Sequence, residues 1–191
     1  MKTTSKILTA LAGLFLSASI LSAQLGSSPS PGDVESAVND RLPSGVSMET
    51  AQPNQLATAL AAVWNCENVV EVVDAATAVN PRSAVAVTIA ATKDCPALAA
   101  QIAGAAAGNA PEHAVGIARA AASHSPNLVE AIAAAIAAAA PGANASDILA
   151  SAQQGAASAL AGAGIALPEL DDHIFDTDLN NPSPSSSIGS P

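Results

Sequence analysis

Cys66 and Cys95 are the two residues of this chain whose type and number most directly imply covalent chemistry. An even cysteine count in an exported chain favours a disulfide over a metal site or a nucleophilic thiol, because oxidising compartments keep paired thiols oxidised. Asp176-Thr177-Asp178-Leu179-Asn180-Asn181 sets side-chain oxygens at alternate positions, like the first half of a calcium loop. Asn181 stands where that loop needs glycine for its tight turn, and Ser187 where it needs a bidentate glutamate. A solvated acidic tail is therefore the main reading, with calcium binding there, or transition-metal binding by His173 beside Asp171 and Asp172, as the lesser one. His113 and His124 are eleven residues apart, ~16 Å along a single helix, too far to share a metal ion. No Gly-x-Ser-x-Gly, paired catalytic carboxylates, phosphate-cradling glycine loop or His-x-x-x-His occurs. The expectation is a non-enzymatic chain with no catalytic residues, no cofactor and no resident metal.

The elements that must position the cysteines are set by proline. Pro81, Pro96, Pro111, Pro126 and Pro141 recur every fifteen residues, and an earlier thirteen-residue unit opens at Pro53. Cys66 takes the place of proline at the start of the second unit. Counting each unit from its first residue, positions 4, 7, 8 and 11 lie on one face of a helix. Six units supply twenty-four such positions, and Thr88 is the single one that is not apolar. Proline suits the first helical turn, since its fixed φ is already helical and its missing N–H would be unpaired there anyway. It also forces the preceding residue out of the α region, which ends the previous helix. Each unit then reads as about eleven helical residues and a turn of about four. Asn80 and Ser125 stand where N-caps belong, and Gly108-Asn109 offers a left-handed exit.

Helices of ~16 Å are marginal alone, so they must stack. Short turns make successive helices antiparallel, which gives an all-α fold: a stack of short helices, either α-solenoid-like or a compact repeat array. In that register Cys66 and Cys95 fall at the same end of one helical hairpin, where a disulfide would staple it. Trp64, immediately before, reads as the large side chain packed beneath the staple.

Residues 1–23 read as a secretory signal peptide, with Lys2 and Lys6 ahead of an apolar stretch from Ile7 to Leu16 and cleavage before Gln24. The competing reading is a retained membrane anchor. The absence of a following basic cluster favours cleavage, and no cysteine marks a lipoprotein site. Loss of the two lysines takes the formal charge from −10 to −12. Four basic residues then remain, Arg41, Arg82, Lys93 and Arg119, too few and too scattered to track phosphate. Nucleic acid is excluded as a partner on that ground, and no stable membrane insertion is expected after cleavage.

Along the mature chain, 24–52 is a linker with a short helix from Val34 to Leu42, closed by Pro43. Residues 53–140 form the array. Residues 141–164 hold a capping helix from Ala145 to about Leu160, opened by Asn144 with Asp147 in its first turn. Residues 165–191 are an acidic, then Pro/Ser-rich tail expected to be disordered or loosely docked. The units at Pro111 and Pro126 resemble the alanine-rich, proline-punctuated short-helix repeats of proteins exported by bacteria, a likeness covering about Pro53 to Ala140. The thirty-residue double unit is similar in length to short HEAT-like repeats. These resemblances imply a helical repeat fold and bring no catalytic or ligand residues with them.

The functional expectation is a protein-interaction module in the periplasm, outside the cell or on the surface of a bacterium, its partner an unidentified protein. The alternative is a self-assembling structural component of the envelope. Glu67, Asp74, Arg82, Lys93, Glu112 and Arg119 are expected to face solvent and are the natural contact candidates. A staple closing about thirty residues stabilises by about 3.6 kcal/mol through loop entropy. Reduction, or Cys95→Ser, should therefore lower the melting temperature by several degrees in a thermal melt. An unchanged melt with two alkylatable thiols in the native protein would remove the staple.

Overall fold

The computed structural model describes residues 25–163, in which eight α-helices and no strand occur. They are α1 (Pro31–Asn39), α2 (Pro53–Ala61), α3 (Val69–Val79), α4 (Ala84–Asp94), α5 (Ala99–Asn109), α6 (Ala114–His124), α7 (Val129–Ala139) and α8 (Ala145–Gly162). The repeat unit resolves into three parts. A three-residue 3₁₀ turn begins on the proline, as at Pro81–Ser83 and Pro96–Leu98, and runs directly into an eleven-residue α-helix. A single bridging residue then precedes the next proline.

That bridging residue makes the turn. Asn80, Cys95, Ala110, Ser125 and Ala140 have φ of −133°, −129°, −137°, −140° and −122°, with ψ between 61° and 75°. The conformation is the consequence of a following proline, which bars the α region. It corrects two local expectations. Gly108 and Asn109 stay inside α5, and among the described residues only Gly45 has a positive φ, so no left-handed exit is used. Asn80 and Ser125 make no side-chain cap, because the tight 3₁₀ start satisfies the local amides through the backbone. Their side chains reach across the stack. Asn80 Nδ2 donates to the carbonyls of Met48 and Ala51 at 2.9 and 3.1 Å, and Ser125 Oγ donates to that of Pro96 at 2.8 Å.

Successive helices run antiparallel, and each packs most extensively on the helix two places along. Two layers result, α1, α3, α5, α7 and α2, α4, α6, α8. Of the four core positions in each of six units, all are buried except Val129, which is half-buried. Position 7 forms a spine of Val72, Val87, Ile102, Ile117 and Ile132, each 0% exposed. Burial of such side chains stabilises by roughly 1.5–3 kcal/mol each. Most other core positions are alanine, so adjacent backbones come close enough for glycines to matter.

The ends of the stack are built differently. Helix α1 starts three residues earlier than the hydrophobic pattern indicates, because Ser30 and Asp33 form a capping box. The Ser30 hydroxyl, 2.7 Å from Asp33 Oδ2, holds that carboxyl below its ordinary value. Residues read as linker are fastened: Asn68 Nδ2 donates to the carbonyls of Leu25 and Gly26 at 2.8 and 3.0 Å. Helix α8 is capped by Asn144 Oδ1, which accepts from the Ser146 N–H at 3.0 Å, and it extends to Gly162.

Thr88 is 0% exposed at an otherwise apolar core position, and its hydroxyl has no hydrogen-bond partner among the described residues. Thr88→Val keeps the shape and removes the buried hydroxyl. It should stabilise the fold by about 1 kcal/mol, read as a melting temperature a few degrees higher. A lower melting temperature would show that the hydroxyl is bonded in solution.

Candidate functional site

Cys66 and Cys95 form a disulfide, with S–S 2.00 Å and Cα–Cα 5.6 Å, at the open end of the α3–α4 hairpin. Neither thiol is free. Trp64 lies beside it, 4% exposed, its indole N–H donating to Asp94 Oδ2 at 3.0 Å. The indole therefore fastens the residue next to Cys95, and this covalent pair is structural.

The ionisable residues remain dispersed. Glu67, Asp74, Arg82, Lys93, Glu112 and Arg119 are all exposed. His113 sits before α6, with Nε2 3.7 Å from Glu112 Oε1, while His124 ends the same helix. Among the described residues no group of three or more His, Cys, Asp or Glu could hold a metal ion. The calcium-like segment from Asp176, and His173 with Asp171 and Asp172, lie outside the described residues, as does the signal segment. No helix among the described residues is long and apolar enough to cross a membrane.

What the structure does bring together is a groove on the outer face of the even-numbered layer, about 670 Å³ in volume. Helix α6 forms its floor with Val115, Gly116, Arg119, Ala120, Ser123 and His124. Val85 and Ile89 of α4 and Ser151, Gly155 and Ser158 of α8 form its walls. Ile89 and Val115 are 43% and 42% exposed, and Leu149 of α8 is 37% exposed on the same layer. These are the large apolar side chains the described residues leave open, and none lies on the other layer.

Both neighbours approach α6 closely: a Cβ on Gly116 would lie 3.0 Å from Val85 Cγ2 of α4. A Cβ on Gly155 would overlap the Arg119 carbonyl oxygen, and Ser151 Oγ donates to the Val115 carbonyl at 2.9 Å. Arg119 Nη2 donates to Gln154 Oε1 at 2.6 Å and has no acidic partner among the described residues. The groove serines are occupied by backbone: Ser123 Oγ donates to Ala120 O at 2.7 Å and Ser158 Oγ to Gln154 O at 2.9 Å. Among the described residues no hydroxyl is paired with the His124 imidazole. The groove can bury apolar surface and offers the Arg119 guanidinium on its floor.

No family model, curated protein or solved structure matches the chain. The groove residues were signalled in the sequence only faintly. Val85 and Val115 at position 5 and Ile89 at position 9 are bulky residues off the 4/7/8/11 face, where most other units carry small or polar ones. Asn109 was also misplaced by sequence reasoning. Its Nδ2 ties α5 to α3 through Asp74 Oδ1 at 2.9 Å and Thr77 Oγ1 at 3.2 Å.

Two glycine substitutions test how the groove wall is held. Gly155→Ala forces α8 off α6 and should cost about 1–3 kcal/mol in chemical denaturation. Gly108→Ala, whose Cβ would sit 3.9 Å from that of Ala139, should be neutral or stabilise by up to about 1 kcal/mol. Equal effects of the two would contradict the close α6–α8 approach.

Proposed function

We propose that this chain is an exported, non-enzymatic helical repeat protein that binds another protein through the α4–α6–α8 face, in the periplasm or at the surface of a bacterium. The observation that carries this reading is the pair of open bulky apolar side chains, Ile89 and Val115, that line a preformed groove on one layer. Apolar side chains gathered around a groove mark interaction sites more often than singly scattered ones, and a helical stack presents a long rigid surface for a partner. Export rests on the signal-like segment 1–23, and the Cys66–Cys95 disulfide is compatible with an oxidising compartment.

A second reading, self-assembly in the envelope, is favoured by the end of the odd-numbered layer. Gly104 and Gly108 of α5 face α7, meeting Ala135 and Ala139. Thirty residues on, the equivalent Ala134 and Ala138 of α7 are exposed, and no helix among the described residues lies over them. Another chain could continue the layer there.

The test is a cross-linked capture by the tagged mature chain in its host's envelope fraction, read by mass spectrometry. One stoichiometric partner, lost on Ile89→Asp with Val115→Asp, is expected. Ladders of the protein itself, abolished by Ala134→Glu and unaffected by the groove pair, would replace the interaction reading with self-assembly.

A further inference from the structure

We propose that the α4–α6–α8 groove is occupied in cis by residues 165–175 of the same chain. The inference rests on the groove being an interaction surface and adds what occupies it.

Position and length come first. Parallel α6 and α8 stand in a register of 36 residues, as Ser151 against Val115 and Gly155 against Arg119 show. Leu160 is thus abreast of His124, and the described chain ends at residue 163, within a turn of the groove's His124 end. From Ser158 back to Ser151, the α8 wall is ~10 Å long at 1.5 Å per residue. Eleven residues, 165–175, reach up to ~36 Å when extended, so the segment can turn back and run the full groove.

Chemistry comes second. Ile165, Leu167, Leu170, Ile174 and Phe175 interleave with Glu169, Asp171 and Asp172. Phe175 is the one aromatic residue after the signal segment besides Trp64, which is already buried. The apolar residues complement Val85, Ile89 and Val115. The acids complement Arg119, which has no acidic partner among the described residues. No acidic side chain lines the α6 groove to repel them.

The test places a benzophenone amino acid at position 115 of the mature chain, with the disulfide intact, and at position 131 on α7 as a control. Irradiation followed by peptide mapping at several protein concentrations identifies what lies over each probe. The expected result is intrachain adducts between position 115 and 165–175, independent of concentration and absent from position 131. Leu170→Asp with Phe175→Asp should reduce their yield on the order of tenfold or more. Adducts only between chains, rising with concentration, would overturn the proposal in favour of a second copy. No adduct with 165–175, while position 115 captures an envelope protein, would also overturn it and leave the interaction reading standing.

Discussion

The structure depends on what a proline permits the residue before it. That residue cannot be helical, so each helix stops on one bridging residue and the next starts at once as a 3₁₀ turn. Five such bridges, from Asn80 to Ala140, share nearly one backbone conformation, and all five residues are at most 3% exposed. Each lies at the end of a hairpin whose other strand of chain begins 29 residues earlier. Cys95 bonds covalently to Cys66 across that gap, Asn80 donates to Ala51, and Ser125 donates to Pro96. The disulfide is thus one instance of a tie repeated along the stack, with buried alanine taking the same place at positions 110 and 140.

A core of alanine and β-branched residues explains the rest of the architecture. Small side chains bury little area per residue, so no helix is stable alone and the stack must supply the stability collectively. They also let backbones come together, as at Gly155 against Arg119. Where a unit places a bulky residue off the core face instead, as at Ile89 and Val115, neighbouring helices leave it open. The groove is the result, and its apolar walls follow from the same repeat that builds the core.

The fifteen-residue period made most of this fold legible. Proline spacing set the units, the 4/7/8/11 face identified the buried side chains, and the two cysteines fell at one hairpin end. What was hidden concerned polar side chains with two possible uses. Asn80 and Ser125 fit an N-cap by type and place, yet they bond residues 29 positions away, a partner visible only once the layers are assembled. Asn109 looked like a helix exit for the same reason. The groove was less legible still, because it arises from the relative placement of three helices up to seventy residues apart, and the periodic pattern describes only the face turned inward. The acidic tail lies outside the described residues.

Repeated ties across 29 residues make α3 to α7 one cooperative unit. Native-state hydrogen exchange at the five bridging residues tests it most directly. The amide N–H of each donates to the carbonyl four residues earlier, at 2.8–3.1 Å. All five should exchange through one opening, with similar protection and the same response to low denaturant. Protection that is high at Cys95 and falls off step by step toward Ala140 would contradict it, showing a single staple with independently fraying helices.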